Sequence, residues 1–205
     1  MNDEFDPNRL TLVPSGYFGK SSDLIHVVEN FLSQEEVDKL LFAAKNLDIW
    51  KESEFRNKYS DLDQLKIKHA DIYNLLEDAS QRFQKIVSDF FNVKIKTYMN
   101  PISKWPIDGD QRPHADKEWE DGSAAGQNYY DIGSVIYLND DFEGGEVYFP
   151  QHGVELKPKP GSAVAFPGDM FFLHGVNEVK EKERYTIPIF WTVLEYKKEN
   201  DKSGD

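Results

Sequence analysis

Two kinds of hydrophobic spacing divide this chain, and one gives way to the other near residue 93. Upstream, apolar residues fall at helical intervals. Ile72, Leu75, Leu76, Ala79, Phe83, Ile86, Val87, Phe90 and Phe91 form one continuous stripe. Three- and four-residue steps put such a stripe on one face of a helix, here predicted over Asp71 to Asn92 and packed on a sheet. A shorter helix is predicted before it. Ser33-Gln34-Glu35-Glu36 has capping-box form, with Ser33 as N-cap and Glu36 at the third helical position. Val37, Leu40, Leu41 and Ala44 follow at helical spacing. The segment 23–31, DLIHVVENF, reads as a first strand.

Downstream, short β-type runs alternate with turn signals. The runs are 93–99, 134–139, 145–149, 154–157, 162–166, 170–176 and 184–194. Gly144-Gly145, Pro158-Lys159-Pro160-Gly161 and Pro167-Gly168-Asp169 punctuate them. Many short strands at regular spacing indicate a sandwich, jelly roll or barrel. The expected architecture is therefore a single α+β domain over 1–205. Residues 1–92 would form an arm and supporting helices. Residues 93–195 would form a double-stranded β-helix (jelly-roll) core, with 196–205 a polar tail. Segment 117–131, KEWEDGSAAGQNYYD, breaks the rhythm and is a candidate lid or substrate-contact loop.

Composition narrows the function. No apolar run approaches the ~20 residues of a membrane span. The opening MNDEFDPNRL lacks the basic and apolar regions of a signal peptide, which predicts a cytoplasmic setting. The absence of cysteine excludes disulfides, thiolate metal sites and cysteine nucleophiles. A net charge of −13 weighs against nucleic acid, whose binding draws on Lys and Arg. A basic or neutral polypeptide, or a small molecule, is the more natural partner.

The candidate chemistry lies in four residues. His114 and Asp116 read His-x-Asp; His174 follows 58 positions after Asp116, and Arg184 ten positions later. Side chains at i and i+2 of a strand share a face, so His114 and Asp116 can both face inward with Ala115 turned away. Two imidazoles and a carboxylate can cap one face of Fe(II) and leave the other open. The turn Lys180-Glu181-Lys182-Glu183 is expected to fold strand 170–178 back on 184–192, so that His174, Val176, Arg184, Thr186 and Phe190 share the inward face. An arginine in a β-core needs an anionic partner, which the distal carboxylate of 2-oxoglutarate would supply; a structural salt bridge to one of the many acids is the alternative. His26, His69 and His152 lack a suitably spaced carboxylate and read as structural or surface residues.

SVIYLNDDFEGGEVYFP, PKPGSAVAFPGD, FFLHGVNEV and ERYTIPIFW together resemble the prolyl 4-hydroxylase branch of the Fe(II)/2-oxoglutarate-dependent dioxygenases. The similarity runs from about residue 93 to 195. It implies that His114, Asp116 and His174 are the catalytic iron ligands and that Arg184 binds the C5 carboxylate of 2-oxoglutarate. Tyr137 matches a tyrosine that bonds the same carboxylate in arginine-type members. Gly144-Gly145-Glu146 matches the family's GGE/GGx turn before the strand ending in Phe149-Pro150. Trp105 stands where collagen-type members place a co-substrate-binding tyrosine, and Gly133 or Ser134 where they place a threonine, so the arginine-type set fits better. The resemblance further implies O2 as oxidant, succinate and CO2 as co-products, ascorbate as the agent that rescues oxidised iron, and a peptidyl proline as substrate. Hydroxylation of a free amino acid or another small molecule is the alternative within the superfamily. A non-catalytic cupin-type binding module is the rival outside it.

Overall fold

Ser33 starts the first helix as its surroundings dictate. Its backbone N–H donates to the Glu36 carboxylate at 2.7 Å, while its hydroxyl accepts from the Glu36 N–H at 3.3 Å. Two donors that a helix start leaves unpaired are thereby satisfied. The computed structural model describes residues 22–53, 57–119 and 123–196, so the predicted arm (1–20) and the tail beyond 196 lie outside the described residues. Helix α1 (Gln34–Asn46) buries Val37, Leu40 and Ala44. Helix α2 (Leu62–Lys68) is capped by Asp61, whose side chain accepts from the Asp63 and Gln64 amides. Helix α3 (Ala70–Phe90) buries Ile72, Leu76, Ala79, Phe83 and Val87, the stripe its sequence carries. It ends two residues before the predicted stop, because Asn92 takes a left-handed φ of 55° and turns the chain into the next strand.

The strands are β1 (His26–Val28), β2 (Trp50–Glu52), β3 (Lys58–Ser60), β4 (Val93–Met99), β5 (Ser103–Trp105), β6 (Gln111–His114), β7 (Ile132–Tyr137), β8 (Glu143–Gly144), β9 (Val147–Phe149), β10 (Val154–Leu156), β11 (Ala163–Pro167), β12 (His174–Val176), β13 (Val179–Lys180) and β14 (Arg184–Tyr196). They form an eight-stranded antiparallel sheet in the order β1-β11-β7-β14-β5-β3-β2, with β4 also on β14. A four-stranded sheet has the order β10-β9-β12-β6, and β13 pairs with β8. The architecture is mostly antiparallel sheet with few helices. The first ninety residues do more than support it, since β1, β2 and β3 extend the large sheet at both edges.

Two cores lie on opposite faces of the large sheet. Ala163 and Ala165 of β11 join Leu40, Phe83, Val87, Ile136 and Trp191 beneath the helices. Val164 and Phe166, on the alternate face, pack with Tyr137 and with Val147 and Phe149 of the small sheet. Alternation over a strand buried on both faces explains why 163–167 reads as an unbroken apolar run.

Two expectations are corrected. Only His174–Val176 of the predicted strand 170–176 is extended; Met170–Phe172 forms a 3-10 turn, because the Asp169 side chain accepts from the Phe171 amide and caps it. The acidic-basic turn does not fold β12 onto β14. β12 pairs with β6 and β9 in the small sheet, and β14 with β7, β4 and β5 in the large one. His174 and Arg184 therefore reach the intervening space from opposing sheets.

Candidate active site

His114 and His174 stand opposite each other in the pairing of β6 with β12, their ring centroids 4.5 Å apart. Asp116 comes from just beyond β6, not from the strand itself. It is moored there by its own amide, which donates to the Gly168 carbonyl at 2.9 Å, and by the Lys117 amide on the same oxygen at 3.1 Å. Ala115 between them is buried. Asp116 Oδ1 lies 3.7 Å from His114 Nε2 and 3.6 Å from His174 Nε2. One ligand atom from each residue can be chosen so that all lie within 4.8 Å of one another, which suits a single metal ion.

The tautomers follow from the backbone. His114 Nδ1 donates to the Arg112 carbonyl at 3.0 Å, and His174 Nδ1 to the Phe172 carbonyl at 3.1 Å. Each Nε2 then carries a lone pair toward the shared centre, the usual arrangement of a metal-binding imidazole. Burial pushes His174 down to about 4, so it is neutral near pH 7. His114 is lowered as well, by burial and then by His174. Burial lifts the Asp116 carboxyl to about 6, with His114 pulling it back. Its Oδ2 is buried without a hydrogen-bond partner among the described residues. Two imidazole nitrogens and a desolvated carboxylate converge, and a divalent ion is the group they fit. A Cβ at Gly133 would collide with Asp116 Oδ2 and approach Phe166 at 2.8 Å, so this glycine leaves room for the carboxylate.

Arg184 opens β14 opposite Trp105 of β5 and is 2% exposed. Its guanidinium lies 5.1 Å from the Tyr137 ring centroid and 5.7 Å from that of Trp105. Arg184 Nε and the Tyr137 hydroxyl are buried and find no hydrogen-bond partner among the described residues. Burial raises the Tyr137 phenol and Arg184 opposes that rise. A buried cation with an unmet donor, beside an unmet hydroxyl, is a cradle for a carboxylate. Gly145, at φ 66°, keeps it open: a Cβ there would press on Phe142 at 2.7 Å and on Arg184 Cδ at 3.1 Å. Trp105 packs with Phe142, Val176 and Val179 as the apolar wall of this end.

The other histidines stand apart, as expected. His26 stacks on Phe90, His69 lies between α2 and α3, and His152 bonds the Phe171 carbonyl and stacks on Phe172. The loop beginning at 117 is tied at both ends by an ion pair. Lys117 Nζ meets Asp131 Oδ1 at 3.1 Å, and Asp131 Oδ2 also accepts from the Val193 amide at 2.8 Å. At its end Tyr130 stacks on Phe190 with centroids 4.2 Å apart, beside Tyr98 and Tyr129. Burial, with Asp116 among the smaller contributors, pushes the Tyr130 phenol well up. Neither this aromatic rim nor the lysine clamp follows from sequence spacing, because both join segments far apart in the chain.

A two-sheet antiparallel fold that brings a His-Asp-His cluster and a buried arginine to one space suits a metal-dependent enzyme with a carboxylate co-substrate. Residues 102–192 match the profile of the 2OG-Fe(II) oxygenase superfamily. Among curated proteins, prolyl 3-hydroxylase 2 of Rattus norvegicus is 25% identical over 144 residues, covering 58% of this chain and 20% of the relative. Prolyl 3-hydroxylase 1 of Gallus gallus is 34% identical over 70 residues, 32% of this chain and 10% of the relative. The chain spans about a fifth of the length of the prolyl 3-hydroxylase 2 proteins it matches. Among solved structures, a viral collagen prolyl hydroxylase of Paramecium Bursaria Chlorella virus-1 superposes with a TM-score of 0.60 at 17% identity, over 84% of this chain and 97% of that one. A prolyl hydroxylase of Trichoplax adhaerens, in complex with a hypoxia inducible factor peptide fragment, gives 0.62 at 16% identity over 90% and 89%. The chain's likenesses lie with the 2OG-Fe(II) oxygenases over residues 102–192 and, among those, with prolyl hydroxylases. Its cofactors are Fe(II) and 2-oxoglutarate.

Proposed function

We propose that this protein hydroxylates an unactivated C–H bond of a prolyl residue in a peptide or protein, in the manner of a prolyl 4-hydroxylase. The observation that carries the reading is the pairing of the His114-Asp116-His174 cluster with a buried guanidinium whose Nε lacks a partner, on opposing sheets around one space. The two sheets, with short strands of distant sequence interleaved, support a jelly-roll core. His114, Asp116 and His174 would hold Fe(II). Arg184 and Tyr137 would take the distal carboxylate of 2-oxoglutarate. When bound, iron and co-substrate together supply the oxidising chemistry, with one oxygen atom of O2 entering the C–H bond and the other entering succinate as CO2 is lost.

The protein's share is placement and exclusion of water. The backbone carbonyls of Arg112 and Phe172 hold both imidazoles in the ligating tautomer. Trp105, Phe142 and Val176 seal the cradle, where a low local dielectric strengthens the Arg184 contact. No side chain has to act as general base. A proline-bearing peptide agrees with the Trichoplax neighbour's bound peptide and with a chain of net charge −13, which favours neutral or basic polypeptides.

Incubating the iron-loaded protein with 2-oxoglutarate, ascorbate and proline-containing peptides tests the reading. Succinate formation coupled to a +16 Da peptide product is expected, and both should vanish in His114→Ala. Fragmentation of the product assigns the oxidised carbon, which matters because the curated relatives are 3-hydroxylases. Turnover of a free amino acid in place of peptide would move the substrate class. Carboxylate binding without O2 uptake would favour a binding module.

A further inference from the structure

The strand that delivers His114 contains an irregularity that aims a second side chain at the same centre. In the β6–β12 pairing, His114 faces His174 and Gln111 faces Val176. Three steps along β6 match two along β12, so β6 carries one extra residue over Arg112-Pro113, a β-bulge. Pro113 suits that place because it has no N–H to lose from the ladder, and both Arg112 and Pro113 are exposed. In a regular strand residues three apart point to opposite faces. The extra residue returns Gln111 to the face of His114, and its Nε2 lies 3.1 Å from His114 Nε2.

The direction of that bond is set by the other ring nitrogen. His114 Nδ1 gives its proton to the Arg112 carbonyl, so Nε2 accepts and the Gln111 carboxamide donates. Gln111 thus donates into the lone pair that a metal would take. Its partner on the neighbouring strand, Val176, packs against Trp105, and Trp105 lies against Arg184. Gln111 therefore stands on the inward step between the metal ligands and the carboxylate cradle. Once a cation occupies the His114 lone pair, the carboxamide N–H loses its acceptor and needs an oxygen beside the metal.

We propose that Gln111 binds 2-oxoglutarate, its side-chain N–H donating to the carboxylate that the co-substrate brings to the metal. This rests on the function proposed above. The competing role is a plug that only occupies His114 while the metal is away.

The test is equilibrium binding on the full chain without O2, following metal affinity by calorimetry and 2-oxoglutarate affinity by the visible charge-transfer absorption of the iron–co-substrate complex. Loss of one charge-assisted hydrogen bond predicts about tenfold weaker 2-oxoglutarate binding in Gln111→Leu, with metal affinity no weaker and the absorption displaced. Gln111→Glu, close in shape, should bind the metal more tightly and 2-oxoglutarate more weakly still, and it keeps the test open if the leucine variant does not fold. Unchanged 2-oxoglutarate affinity in both variants, or tighter metal binding as the sole effect of Gln111→Leu, overturns the proposal. A wild-type chain that takes metal but no 2-oxoglutarate overturns the co-substrate assignment and this proposal with it; wild-type binding of both with normal variants overturns the Gln111 role alone.

Discussion

Replacing Asp116 by asparagine should make the metal-free protein more stable while removing its capacity for metal. The Asp116 side chain is 7% exposed, Oδ2 has no partner among the described residues, and the carboxyl is lifted from 3.8 to about 6, chiefly by burial. A folded-state value above the unfolded one means that the native state prefers the protonated form. Stability from this group is therefore full below 3.8, declines as pH rises, and is gone above about 6. Such a shift corresponds to about 3 kcal/mol against the ionised carboxylate at pH 8. Asparagine keeps the shape without the charge, and its amide can donate toward the lone pair of His174. Urea unfolding of chelator-treated protein should show the variant ahead by up to about 3 kcal/mol at pH 8. The lead should shrink by about 1.4 kcal/mol at pH 5, where part of the wild-type carboxyl has taken its proton. Adding Fe(II) under anaerobic conditions should reverse the order, because ligand binding stabilises only the chain that can bind. A variant no more stable at pH 8, or equally ahead at both pH values, would refute the reasoning.

Metal affinity should follow the same carboxyl. Competition titrations should show affinity falling about tenfold per pH unit below about 6 and more steeply below about 4, where His174 also takes a proton. Gly133→Ala should weaken metal binding at least tenfold by driving its methyl into Asp116 and Phe166, while circular dichroism remains that of the folded chain. Arg184→Met should leave metal affinity intact and weaken 2-oxoglutarate binding about a hundredfold or more, measured by calorimetry, since a buried charge partner is lost.

What could be read from sequence was what depends on nearby residues or on chemistry. The long helix announced itself because Ile72, Leu76, Phe83 and Val87 must share a face, and the capping box because Ser33 and Glu36 are three apart. His114, Asp116 and His174 stood out because few residue types can serve a metal. α2 left no stripe, since Leu65 is its one buried residue. β6 was hidden by Arg112-Pro113, which looks unlike a strand because it is a bulge. The assignment of β12 and β14 to different sheets had no local signal, as each pairs with segments far away in the chain. Gln111 shared that fate: its orientation is set by a register shift that only the partner strand reveals.

The mooring of Asp116 gives the metal a mechanical role. His114 and His174 sit on strands of the small sheet, each four residues or shorter, whereas Asp116 hangs from Gly168, directly after β11 of the large sheet. An ion held by all three is a cross-link between the sheets, in a chain that has no cysteine to provide one. It also closes a loop from 116 to 174, and constraining a loop of that size removes on the order of 4 kcal/mol of entropy from the unfolded chain. Iron loading would then add a staple between two sheets that apolar packing already joins, and chelation would remove that staple without parting them.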